Sequence, residues 1–221
     1  MDIKEILLKE QNNLEHEFEE NIEKYFSLET LASSDQDDEF RTNAISAQLT
    51  ATWLKKIIPE VDSLSDFCKK IEFFQEILED KRYVLASTMS EIAYLSISLS
   101  SQKNITEQQL LDLAKLDENK IYFTKSRLKQ MLDNPNKRSS ILKGVYSEAA
   151  LDASRTILKL KQDSEFKKLE SKCGYQIDTR YCKKSTHKTD NLKEQFTYGK
   201  LVLEKLLSLK DILNNKSKRL K

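Results

Sequence analysis

Glycine occurs three times and proline twice in this chain of 221 residues, where average usage gives roughly 15 and 11. Hairpin turns, barrels and phosphate-cradling loops consume those two residues, so their scarcity argues against nearly every fold that contains a sheet. No stretch approaches the roughly 18 to 20 apolar residues that a bilayer-crossing helix needs. The first residues, Met1-Asp2-Ile3-Lys4-Glu5, lack the basic-then-apolar order of a signal peptide. Cysteine is present three times, an odd number that reads as reduced thiols in the cytoplasm or nucleus, cytoskeleton-associated or not. Histidine is limited to His16 and His187, neither set in a nucleophile-and-carboxylate motif. These absences lead to the expectation of a chain that is not an enzyme, carries no cofactor and has no transmembrane segment.

What the chain has is charge and periodicity. Charged residues make up 33% and hydrophobic ones 38%, a ratio that suits apolar stripes on helices better than a thick central core. Net charge is +1, unevenly spread. Residues 1–40 carry 13 acids against 3 bases, and residues 159–221 carry 17 bases against 8 acids. Opposite ends of opposite sign attract within a molecule, between copies or toward two partners.

Leu64, Ile71, Leu78, Leu85, Ile92 and Leu99 recur at strict seven-residue intervals. Such a repeat predicts a long helix with a narrow seam that another helix must cover. With these as the first heptad position, the fourth reads Phe67, Phe74, Lys81, Thr88 and Leu95. The polar break in the middle suits a bundle of three or four helices better than a two-stranded zipper.

The fold class read from this pattern is all-α: an elongated helical bundle or coiled coil of about six helices. Long helices are expected at about 63–100, 106–132, 139–173 and 191–213. Two more precede them, to about Leu31 and from about Asp38 to Ile58, where Pro59 ends or kinks the helix. The sole tryptophan, Trp53, suits a buried anchor at a helix junction or a partner-binding hot spot. Thr106 and Gln109 have the spacing of a capping box. Asp133-Asn134-Pro135-Asn136 reads as the turn of an antiparallel hairpin, and Gly174 as a left-handed helix cap. The chain divides into an acidic helical segment (1–58), a central long-helix hairpin region (63–173), a basic loop (174–190) and a C-terminal helix with a basic tail (191–221), in one continuous helical domain.

Candidate sites are few. Cys173, Cys182 and His187 are spaced as three potential zinc ligands, without the close cysteine pair of a structural site. Arg180, Lys183, Lys184 and Lys188, with Tyr175 and Tyr181, combine positive charge with aromatic faces. They suit an acidic protein surface such as tubulin tails; a neutral chain with no recognisable RNA motif makes nucleic acid the less favoured partner. Ser139 and Ser140 follow Lys137-Arg138 at a helix start and offer a phosphorylation context. The expected function is a non-catalytic structural subunit of a hetero-oligomeric coiled-coil complex that binds other helical proteins. A cytoskeletal or cell-division scaffold of spindle or kinetochore type is the first setting, and a tethering or vesicle-trafficking complex is another. The alternative is a self-contained homodimeric helical module that contacts nucleic acid or an acidic partner through residues 175–188.

Overall fold

The structure is a computed structural model that describes residues 2–28, 34–177 and 190–219, with side chains at 2–26, 39–177 and 194–215. It is all-α. Among the described residues there are nine α-helices and two 3-10 turns, and no strand. The helices are α1 (Ile3–Leu28), α2 (Ser34–Ile57), α3 (Leu64–Glu79), α4 (Lys81–Ser100), α5 (Glu107–Leu116), α6 (Lys125–Asp133), α7 (Arg138–Leu160), α8 (Ser164–Cys173) and α9 (Asp190–Arg219). No helix is long and apolar enough to cross a membrane among the described residues.

Three of the expected long helices are each interrupted, and each interruption is a polar side chain that captures backbone amides. The helix expected at 63–100 stops at Asp80, whose carboxylate accepts the Arg82 amide at 2.8 Å and restarts the chain as α4. The one expected at 106–132 stops at Asp117. That buried carboxylate takes the amides of Ile121, Tyr122 and Phe123 at 3.0, 2.7 and 2.7 Å. Lys120 supplies the left-handed turn (φ 54°), and Thr124 then caps α6. The helix expected at 139–173 closes at Leu160 and restarts at Asp163, which accepts the Phe166 amide at 2.9 Å. Asp and Thr compete with helical hydrogen bonding in this way because their short side chains reach nearby amides.

The chain divides into two compact units, one of residues 1–78, 167–176 and 197–221, the other of 79–166 and 177–196. In the first unit α1 and α2 pack along each other. They run antiparallel: Lys4 at the start of α1 pairs with Asp62 just past α2, and Lys24 near its end lies over the Phe40 ring at the start of α2. Ala44, Ala47, Ala51 and Leu54 form the buried seam of α2 at spacings of three and four, and small side chains let the two backbones approach. Ile45 and Leu49 lie on the less buried side, Leu49 at 42% exposure, because the alanines take the contact. Trp53 is a buried anchor between Phe67 and Phe74 of α3, at centroid distances of 6.4 and 6.0 Å. Val202, Leu206, Leu209 and Leu213 of α9 join this core.

In the second unit α4 packs along α7, not α6 along α7 as the Pro135 turn suggests. Ser139 at the start of α7 donates its hydroxyl to the Ser100 carbonyl at 2.8 Å. At the other end Arg82 pairs with Asp163 just past α7 at 2.9 Å, so the pair is antiparallel. Ala86, Ser90 and Ala93 on α4 and Ala149, Ala150 and Ala153 on α7 are all buried, again a seam of small side chains. The hydroxyls of Ser90 and Ser96 are buried with no hydrogen-bond partner among the described residues.

Candidate interaction surface

The seven-residue line is shared between the two units. Ile71 and Leu78 of α3 are buried in the first, and Leu64 is half-buried. Ile92 and Leu99 of α4 are buried in the second, whereas Leu85 is 40% exposed. Four of the six seam residues are therefore consumed inside the chain's own cores.

A strip of mixed polarity remains on the outer side of α4. Val84, Thr88, Glu91, Leu95 and Ser98 follow one another at spacings of three and four, on the side of the helix opposite Ala86, Ser90 and Ala93. Val84 and Leu85 are exposed, and Leu95 is half-buried. The strip runs into a groove of about 340 Å³ between α4 and α5. Its floor is Leu99 and Leu113, its walls Leu95 and Leu116, and its rim Ser98, Gln102, Gln109 and Asp112. Gln109 Nε2 donates to Gln102 Oε1 at 3.0 Å and closes one end. The same Gln109 completes the capping box: its side chain accepts the Thr106 amide, and its amide donates to the Thr106 hydroxyl. The capping signal read from sequence thus also positions the groove wall. Asp112 is held below the usual carboxylate range by hydrogen bonds from Lys115 and Gln108, and so stays ionised at neutral pH.

The remaining charged clusters are structural ties. Arg138 is buried and donates to the carbonyls of Met131 and Ile105, so a guanidinium serves the C-terminal end of α6. Arg127 grips Glu148 through both nitrogens at 2.9 Å and also donates to the Tyr122 carbonyl, while the Tyr122 hydroxyl donates to Asp152. These ties fasten the 117–124 loop to α7. Nothing in periodicity marks Arg138 or Asp117; the only signal was a lone Asp after an apolar run and an Arg just past a proline turn.

A second groove, of about 360 Å³, lies among α1, α2 and α9, lined by Glu10, Glu17, Asn43, Thr50 and Lys205 among others. Lys205 pairs with Glu17 at its edge at 2.7 Å, and Thr50 donates to the Ser46 carbonyl.

Of the proposed zinc ligands, only Cys173 lies within the described residues. It is buried at the end of α8, and burial pushes its thiol up to about 12. The Trp53 indole N–H approaches its sulfur without reaching full hydrogen-bond geometry. Cys182 and His187 lie outside the described residues, as do Arg180, Lys183, Lys184 and Lys188 of the basic contact. Among the described residues no group of three His, Cys, Asp or Glu side chains is placed to hold a metal ion.

Compared with known proteins, the chain matches no family model, no curated protein and no solved structure.

Proposed function

We propose that the chain is a non-catalytic structural subunit of a hetero-oligomeric helical complex, adhering to other helical proteins. The observation that carries this reading is the α4 strip: Val84, Leu85 and Leu95 keep apolar area in solvent beside a leucine-floored groove. Exposed apolar area beside a groove is the kind of surface at which helical proteins associate. A cytoskeletal or cell-division scaffold is the setting proposed, on the strength of subunit type alone.

A specific observation favours a second reading. Ile71, Leu78, Ile92 and Leu99 are already covered within the chain, which supports a self-contained helical module that needs no foreign helix to fold. The two readings separate on the full chain, tagged and purified at mild salt from the cells that make it. Mass photometry showing a stoichiometric assembly, lost with Leu85→Asp while circular dichroism stays unchanged, supports the subunit. A lone species at 25.8 kDa or at twice that mass, without stoichiometric partners, sinks it in favour of the module.

A further inference from the structure

We propose that the solvent face of α1 in one copy of this chain docks on the lysine-bearing surface of α6 in a second copy, through a salt-sensitive contact. This goes beyond the subunit reading and does not depend on it.

The basic side is built from lysines that nothing in the chain uses. Residues 120–147 hold seven Lys and Arg against one acid, Asp133. Two of the seven are spent inside the unit, Arg127 on Glu148 and the Tyr122 carbonyl, and buried Arg138 on the Met131 and Ile105 carbonyls. The other five, Lys120, Lys125, Lys129, Lys137 and Lys143, are exposed, and none has a partner among the described residues. Lys125 and Lys129 stand one turn apart on the side of α6 away from buried Met131. Unmatched charges of one sign repel each other and draw an acidic occupant.

The chain carries such an occupant. Residues 10–23 hold six acids and no Lys or Arg. α1 buries Ile3, Leu7 and Leu14, and its opposite side presents Glu5, Glu19 and Glu23, exposed and without a partner among the described residues. Glu15 on the same side accepts only a neutral amide, from Gln11. Leu8 and Phe26, 51% and 60% exposed, add apolar area to this face. The two stretches therefore carry net charges of +6 and −6.

Spacing sets the register. Glu19 and Glu23 are four residues apart, as are Lys125 and Lys129, about 6 Å of helical rise in each case. Laid antiparallel, Glu23 meets Lys125, Glu19 meets Lys129, and Phe26 falls toward Ile121, itself 50% exposed. A parallel arrangement would set Phe26 beside Asp133 instead. An acidic tail of another protein, or a nucleic acid, would use the basic surface and leave the α1 face idle.

Sedimentation velocity on the full chain tests the contact, at about 50 mM salt and from about 5 to 200 µM, a range suited to exposed ion pairs that are individually weak. Weight-average mass should climb above 25.8 kDa with concentration. It should fall back at about 0.5 M salt, where screening acts within a few ångströms. Lys125→Glu with Lys129→Glu, and separately Glu19→Lys with Glu23→Lys, should each weaken association at least about tenfold. Mixing the two variants, or making all four changes in one chain, should restore it to within about threefold of wild type. All four positions are exposed, and circular dichroism checks folding. A wild type that stays at 25.8 kDa throughout overturns the proposal. So does association that resists salt, ignores either pair of changes or is not restored on mixing. None of the four residues lies on α4, so the Leu85→Asp experiment judges the subunit reading separately.

Discussion

Replacing Gly174 with alanine tests the account of how the first unit closes. Gly174 sits just past α8 at φ +77°, and its amide donates to the Glu170 carbonyl at 2.9 Å. An L side chain in the left-handed region costs about 1–2 kcal/mol through the clash of Cβ with the backbone. The added Cβ would also lie 3.0 Å from Ile57 Cγ2, and Ile57 is fully buried at the end of α2, so the neighbour has little room to yield. The expected loss is therefore about 1–3 kcal/mol, the upper part supplied by repacking around Ile57. Trp53 is the only tryptophan and lies in the same core, against Phe67 and Phe74. Its fluorescence in urea therefore reports this unit, and the midpoint should fall with an unchanged slope. Gly144 provides the opposite case. It is exposed within α7, and a Cβ there meets nothing within 4 Å, so Gly144→Ala should stabilise the second unit by about 0.5–1 kcal/mol, read by circular dichroism. A Gly174→Ala chain as stable as wild type would refute the claim that the left-handed cap and its contact with Ile57 hold this junction.

Other expectations follow from the same contacts. Arg138→Met keeps the bulk but leaves the Met131 and Ile105 carbonyls without their donor; a loss of about 2–4 kcal/mol is expected in urea unfolding, and a neutral result would remove Arg138 from the framework. Asp80 and Asp163 both have pKa values held below the usual carboxylate range. For Asp80, burial pushes upward and the Arg82 hydrogen bonds outweigh it; for Asp163, the Phe166 amide acts first and Arg82 second. Folded-state pKa values below the unfolded value of about 3.9 mean stability that is present above that pH and lost as pH falls through the folded values. Arg82→Leu should flatten this acid limb, and an unaltered acid titration of stability would count against the bridge. Cys173, buried and with its thiol pushed up to about 12, should resist iodoacetamide at pH 8 until urea unfolds the chain, as peptide mapping can show; ready alkylation in the folded protein would contradict its burial.

The all-α class was legible in what the chain lacks, and Pro59, the Thr106–Gln109 box and the Gly174 cap were legible because each is a local signal with a local cause. The interruptions at Asp80, Asp117 and Asp163 were not. A heptad count follows apolar positions, and all three breaks are made by carboxylates at positions the count leaves blank. The seams were misweighted for a related reason. Large apolar residues drew the line through Leu49 on α2 and through Leu85 on α4. Alanines and serines, poor in apolar area but small, took the close contacts at Ala44, Ala47 and Ala51 and at Ala86, Ser90 and Ala93. The candidate groove lay half in view. Leu95, Leu99 and the capping Gln109 stood out in the sequence, but their meeting with Leu113 and Leu116 depends on how α5 folds back against α4.

The first unit is assembled from three separated stretches, 1–78, 167–176 and 197–221, and this has a consequence during synthesis. Leu7, Leu14, Ile71 and Phe74 leave the ribosome early, but the α9 residues Val202, Leu206 and Leu209 that complete their core emerge well over a hundred residues later. At about 5–20 residues per second that interval is roughly 6–27 s. Collapse of an apolar surface takes less than a millisecond. For that interval the early helices carry a half-built core, and a chaperone or a premature partner has its best opportunity to bind them.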